Sequence, residues 1–448
     1  MTICIRLLAQ EPITLNQLLS SALNKNYDLE ISKNEITKLD LNNNLLKYKY
    51  IPTVSISMLG AYSNEKVRMA LPEYIPFPNN FPDIKLFSKP ITIQANSPKI
   101  GGSLNVKWLI YSGGKIPMLK ESLKHKIQVQ KNMHTKIQED IILEVTELYY
   151  KIALLNEAKK VLLKSKERLN SEQKRVKKAV EVGLAINSDL QKLKVAQIKL
   201  ESKNIEYQNN KMLLFKRLEQ LTHYSETELK NIETKLLPSK LPTEIEINTD
   251  NRPEIKALNE AIKAYSYYLK ASETWVIPKI QLLGQINYAQ SFNGKLTGLV
   301  NDISFTSKYI STGPNMLIGI GLKWDIFDGF NSRIEIQQTK ADIKQAETKK
   351  EKAKELLQLN VYKTKGDYEL SGSKLKLKDE ELQLTKDILV IETNKYKYGL
   401  NSINDRLEAE ANMQLSELEY LQAIYDQRLA AIKFFQSTNQ LSIENINL

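Results

Sequence analysis

The chain has 448 residues, a net charge of +12, 26% charged residues and a single cysteine, Cys4. One cysteine excludes an internal disulfide framework, and no apolar run approaches the ~18 residues of a transmembrane helix. The lysines are spread along the chain, which reads as solvated helix faces and not as a nucleic-acid patch. His125, His134 and His223 show no ligand spacing, so neither a metal nor another cofactor is expected. No nucleophile elbow or phosphate loop occurs, and the chain does not read as an enzyme.

Met1–Gln10 resembles the end of a signal peptide, an apolar run followed by Ala-Gln. A frayed N-terminus is an equally simple reading. Thr14 with Gln17 forms a capping box, with Ile13 placed to staple onto Leu18. The helix it starts is expected to run to about Tyr50, where Pro52 closes it. From Thr53 the period becomes two, which predicts a strand over 53–62. Residues 63–100 hold Pro72, Pro76, Pro78, Pro82, Pro90 and Pro98 and read as a long loop, neither helix nor regular strand. Alternation resumes over 102–111 through Leu104, Val106, Trp108 and Ile110. Ser112-Gly113-Gly114 ends that strand, and Pro117 suits the first turn of a helix. A helical hairpin is predicted over 116–224, its first arm roughly 100 Å long at ~1.5 Å per residue. Such a helix needs partners along its length, as in a coiled coil or a helical barrel. Residues 225–250, with Pro238 and Pro242, read as an irregular equatorial segment.

The plan then recurs, dividing the chain into 11–250 and 251–448. Asn251-Arg252-Pro253-Glu254 starts a helix over 252–276, and Ile277-Pro278 echoes Ile51-Pro52. Strands are predicted over 279–289 and 317–327, with a loop over 290–315. Trp324 takes the place of Trp108. A second hairpin follows over 330–440, then a loose tail. Each hairpin turns on the same motif, Val182-Gly183-Leu184 with Asp189, then Tyr398-Gly399-Leu400 with Asp405. Gly takes the left-handed cap cheaply, and the Asp falls near the start of the returning helix.

Four amphipathic strands cannot close a barrel, and an open edge in a bilayer leaves backbone groups unpaired. The apolar strand faces have no evident helical partner, because the helices are too long and too charged. The pattern therefore predicts a mixed α/β membrane protein. Three chains give a twelve-stranded β-barrel, four strands each, continued by a long α-helical barrel of coiled-coil hairpins with an internal two-fold repeat. The alternatives are a soluble sheet packed on helices, a structural or adhesive coiled-coil surface protein without transport, and a nucleic-acid binder resting on charge alone.

In this order the motifs resemble the TolC family of bacterial outer-membrane efflux proteins over about residues 11 to 440. They are Ile13-Thr14-Leu15, Ile51-Pro52, Trp108 through Tyr111-Ser112-Gly113-Gly114, Trp324-Asp325-Ile326-Phe327-Asp328-Gly329, and the two hairpin turns. The resemblance implies a homotrimeric conduit of a tripartite efflux pump or a type I secretion system, in the outer membrane with a large periplasmic portion. Implied partners are a periplasmic adaptor, an inner-membrane pump such as an RND or ABC transporter, and outer-membrane lipid, with no nucleic acid. Gly183, Leu184, Gly399 and Leu400 are the expected adaptor-docking surface, since small residues allow close backbone approach. By resemblance the family's constriction falls on Asp405 and Glu408, which share a helix face. Three-fold symmetry would gather six carboxylates, whose mutual repulsion is expected to raise some of their pKa values. Asp189, Tyr396 and Asn401 are expected to support the closed tip. The family often has Arg two residues after the second tip Gly. Asn401 stands there in this chain, and Arg406 follows on the next helix.

Overall fold

The computed structural model describes residues 13–70, 74–75, 84–85, 91–183, 185–232, 235–239, 249–297 and 304–441. The elements begin with α1 (Leu15–Lys25), α2 (Tyr27–Tyr48), β1 (Thr53–Met69), the short pair β2 (Tyr74–Ile75) and β3 (Ile84–Lys85), and β4 (Ile91–Tyr111). Next come α3 (Lys115–Glu181), α4 (Asn187–Thr222), α5 (Glu226–Leu229) and α6 (Pro253–Glu273). The chain ends with β5 (Lys279–Thr297), β6 (Ser304–Lys323), α7 (Asn331–Lys397) and α8 (Ile403–Ser437). Both α3 and α7 are 67 residues long.

The Thr14 hydroxyl accepts the Gln17 amide and the Gln17 side chain accepts the Thr14 N–H, which fixes the start of α1. The single helix expected from Thr14 to about Tyr50 instead breaks at Asn26. That residue has extended backbone, and its side-chain carbonyl accepts the Asp28 amide at 2.8 Å. An Asn carbonyl in competition with the helix ladder favours a new start over continuation.

The main sheet is antiparallel throughout, in the order β1-β4-β5-β6. Its strands extend beyond the predicted 53–62, 102–111 and 279–289, so the described ladders enter the ranges 63–100 and 290–315 that read as loops. Pro98 lies inside β4 opposite Tyr62. A proline has no N–H to give the ladder on its other side, and there the β4–β5 pairing slips between Gln94 and Lys99. The remaining prolines of that range, Pro72, Pro76, Pro78, Pro82 and Pro90, lie outside the described residues. The last strand also differs from the predicted 317–327. β6 stops at Lys323, paired with Lys279, the first residue of β5 after Pro278. With no partner strand beyond Pro278, Trp324 and Ile326 leave the ladder.

The chain divides into two compact units. The helical unit is Met1–Leu39, His125–Ile262 and Lys344–Leu448. Its core gathers Leu18, Leu19, Val145, Ile152, Leu218, Leu229 and Ile432 from several helices, all at most 2% exposed. Each such side chain contributes about 1.5–3 kcal/mol through burial. The sheet unit, Asp40–Lys124 and Lys263–Ile343, has the opposite character. Its outer strands expose apolar side chains, with Met58 at 85% and Ile320 at 78%, and Val54, Ile56, Ile318 and Leu322 also exposed. Within the sheet unit Gly113, at φ +70°, approaches Ile277 so closely that a Cβ would lie 2.9 Å from its carbonyl oxygen. Among the described residues no helix is long and apolar enough to cross a membrane.

Candidate functional site

Both hairpin turns lie in the helical unit, against one cluster of Leu162, Leu169, Val176, Leu193, Leu200 and Ile403. At the second turn the Leu400 N–H donates to the Lys395 carbonyl at 2.9 Å and the Gly399 N–H to Tyr396 at 3.1 Å. This double closure is a Schellman motif, with Gly399 at φ +72°. Gly183 ends α3 likewise at φ +75°, its N–H donating to Val180. Among the described residues, and apart from each glycine's own neighbours in the chain, no atom lies within 4 Å of where a Cβ would stand on either glycine. The surface above both is open, and Leu400 is 75% exposed. Leu184 lies outside the described residues.

The turn into α8 is a capping box. The Ser402 hydroxyl accepts the Asp405 amide and donates to the Asp405 carboxylate, which also accepts the Ser402 N–H at 2.9 Å. The Ser402 hydroxyl and amide hold the Asp405 carboxyl below the usual aspartate range. Within one protomer this is opposite to the rise expected of a ring of carboxylates, because the hydrogen bonds favour the charged form. Glu408 is exposed on the same helix and lines a groove of about 650 Å³ with Ser188, Lys192, Lys199 and Gln414.

The three support residues occupy different places. The Asn401 amide donates to the Glu392 carboxylate at 2.6 Å and to the Glu392 carbonyl at 3.2 Å, tying the turn to the end of α7. Lys395 and Asn401 together hold Glu392 below the usual glutamate range. Tyr396 packs against the apolar cluster, and burial pushes its phenol up, aided by Glu172 and Asp189. Asp189 pairs with Lys192 at 3.5 Å.

Sequence reasoning missed the charged layer behind the turns. Arg406 turns inward, its side chain 3% exposed, with Nε 3.5 Å from Glu172 and a second nitrogen 3.6 Å from Glu410. Arg168 donates to Glu410 at 2.8 Å, and Arg175 to Glu172 at 2.8 Å. The sequence signal was weak: Glu172 with Arg175 and Arg406 with Glu410 have the spacing of ordinary exposed helix pairs. Among the described residues no group of His, Cys, Asp and Glu could hold a metal.

A four-stranded open sheet with exposed apolar outer strands is the architecture of an outer-membrane β-barrel protein, and two helical hairpins with 67-residue first arms accompany it. Residues 245–440 match the family model described as outer membrane efflux protein. Over those residues the chain is similar to outer membrane efflux proteins, in agreement with the TolC-family resemblance of its motifs. The outer membrane is the location that goes with this family.

Solved channels share the fold along nearly the whole chain. The outer-membrane channel OprN matches with a TM-score of 0.70 and 15% identity, over 95% of this chain and 90% of that one. The CmeC outer membrane channel of Campylobacter jejuni matches at 0.70 and 16%, over 95% and 86%. The outer membrane protein VceC of Vibrio cholerae matches at 0.68 and 13%, over 95% of each. No curated protein matches the chain.

Proposed function

We propose that this chain is a homotrimeric conduit, the outer-membrane component of a tripartite efflux pump or of a type I secretion system. The observation that carries the trimer is the pair of bare edges on the sheet. Among the described residues β1 and β6 each pair on one side only, and an unpaired edge in hydrocarbon is costly. β1 of one copy joined to β6 of the next closes twelve strands over three copies. The helices support the same closure. Leu370, Leu377, Leu384 and Ile391 recur at heptad spacing along α7 and are 51% to 63% exposed. Ile198, Ile205 and Met212 recur at the same spacing along α4 and are also exposed. Such seams are buried against other helices in coiled coils.

In this reading the helical hairpins form a periplasmic tunnel. Gly183, Leu184, Gly399 and Leu400 are the docking surface for a periplasmic adaptor that links the conduit to an inner-membrane pump. Asp405 and Glu408 form the constriction, with Asp189, Tyr396 and Asn401 beneath it. Support comes from the open surface above both glycines and the exposure of both carboxylates. Mass measurement of the detergent-purified protein, with membrane fractionation, tests the reading. Three chains per particle in the outer-membrane fraction are expected. A soluble monomer would overturn the conduit and favour a coiled-coil surface protein.

A further inference from the structure

The charged layer behind the hairpin turns does not balance. Arg168 and Glu410 form one tight pair, and Arg175 and Glu172 another, each at 2.8 Å. Each carboxylate thus already accepts one charge-assisted hydrogen bond, while the second oxygen of Glu410, Oε2, has no hydrogen-bond partner. Arg406 meets them only at 3.5 Å and 3.6 Å, too far for such bonds. Its side chain is 3% exposed, and its Nε and one terminal nitrogen, Nη1, have no hydrogen-bond partner. Counted together, three arginines face two carboxylates; Arg175 is 60% exposed and Arg168 32%, so Arg406 alone of the three holds its charge and its orphaned donors away from water. Buried charge and unmade hydrogen bonds are both costly.

A groove of about 510 Å³ opens on this layer from between α3, α7 and α8, lined among others by Arg168, Arg175, Thr393, Asn394, Arg406 and the Glu410 carboxylate. At its rim Lys164 and Glu167 offset one another in charge. Asp189, near Tyr396, is engaged by Lys192. The missing counter-charge is therefore one anion, and the donors that await it are planar guanidinium N–H groups with a lysine close by. Guanidinium groups match the oxygens of phosphate and sulfate.

We infer that this groove is a binding site for a small tetrahedral oxyanion of the phosphate class, seated on Arg406 and bounded by Arg168, Arg175 and Lys164. The Thr393 hydroxyl and Asn394 amide add polar groups from α7, so a bound anion bridges α3 and α8 to α7 just behind the hairpin turns. The site is separate from the proposed constriction, and its presence does not depend on the chain's being a conduit.

The test uses the purified full-length protein in detergent at neutral pH, melted in sodium phosphate and in sodium chloride of equal ionic strength. A ligand that binds only the folded state raises the melting midpoint with its concentration, so a phosphate-specific rise that saturates is expected. Arg406→Met leaves two carboxylates with two arginines, a neutral layer, and should abolish the phosphate dependence. Lys164→Met changes an exposed rim residue and leaves the layer intact, so it serves if Arg406→Met fails to fold. It should raise the half-saturating phosphate roughly threefold, the weakening expected of one exposed charge pair. Crystals grown with selenate should show anomalous density in the groove. The inference is overturned if phosphate and chloride give the same midpoint, or if neither variant alters the phosphate dependence. A carboxylate from a neighbouring copy on Arg406 in the assembled protein would also overturn it, because the excess charge would then be met within the assembly.

Discussion

The Trp108 indole donates its N–H to the backbone carbonyl of Tyr50 at 2.8 Å. Trp324 does the same to Val276 at 3.0 Å. Each accepting carbonyl lies one residue before an Ile-Pro pair that opens a strand, and each indole follows a ladder that strand helps to form. The bond thus pins the entry of one strand to the end of another in both halves of the sheet unit. Replacing Trp324 by Phe keeps a ring but removes the donor. Since Trp324 is 56% exposed, water can take the carbonyl, and the loss should be about 0.5–1 kcal/mol. Trp108→Phe should cost a similar amount. The two effects should add in denaturant melts, because the sites are distinct.

Arg252 carries a heavier load. Its side chain is 6% exposed and donates to Glu139 at 2.9 Å and to Glu254 at 2.8 Å, with a further bond to the Gln436 carbonyl. One residue thus joins α3, the start of α6 and the end of α8. Burial already pushes the Glu139 carboxyl above the usual range, and the Arg252 charge restrains that rise. Arg252→Ala would leave Glu139 without its counter-charge and should cost about 3 kcal/mol. A denaturation midpoint unchanged from wild type would refute this.

Much of this was legible because it rests on local chemistry. Thr14 with Gln17, and Gly399 after a helical run, carry their structural meaning in a few adjacent residues. The starts of β1 and β5 and the end of β4 were legible, at Thr53, Lys279 and Tyr111, but the other strand ends were not, because a strand stops where its partner stops. Nothing around Trp324 signals that β6 ends opposite Lys279, where β5 begins. Asn26 lay inside a helical pattern, and only its side-chain bond to the Asp28 amide reveals the break. The inward turn of Arg406 was hidden for a different reason. Its spacing to Glu410 is that of a solvated pair, and burial arises from α3 packing across it.

Ser402 links stability to acid at the second turn. Asp405 is held below its ordinary range by the Ser402 hydroxyl and amide. A carboxylate depressed in the folded state stabilises above its unfolded pKa, near 4 for aspartate, and that contribution fades as pH falls through the folded value. Ser402→Ala should lower the melting midpoint near neutral pH. The difference from wild type should shrink progressively below about pH 4, as pH falls through the depressed folded value and the carboxylate becomes protonated in both proteins. A constant difference across that range would show that the cap acts without the charge.

At Gly399 the backbone requirement can be separated from the space above it. The left-handed φ makes any side chain there cost about 1–2 kcal/mol, while the absence of atoms within 4 Å means that an Ala Cβ meets nothing in one protomer. Gly399→Ala should therefore carry the strain alone, and Gly399→Phe the strain with added bulk. If the adaptor docks here, Gly399→Phe should abolish its cross-linking and export with the trimer intact, and Gly399→Ala should retain most of both. Unimpaired export in Gly399→Phe would place docking elsewhere.

The last prediction concerns the carboxylates at the proposed constriction. Asp405 and Glu408 stand three residues apart at the start of α8, both exposed. In one protomer Asp405 is ionised readily, because the Ser402 hydroxyl and amide stabilise its charge. Three copies around an axis would bring six carboxylates together, and their mutual repulsion would oppose that local stabilisation. Such a ring favours cations over anions in a narrow aqueous pore. It also offers several charges at once to a multivalent cation, which would lodge there and block conduction. The double variant Asp405→Ala with Glu408→Ala should form the same trimer, lose most of its cation selectivity in planar bilayers and conduct in the presence of a trivalent cation that blocks the wild type. The single variant Glu408→Ala should lose part of the selectivity while keeping the Ser402–Asp405 cap, which separates the charge of the ring from the stability of the turn. If the double variant retains both selectivity and block, these carboxylates serve only the helix start, and the constriction lies at other residues.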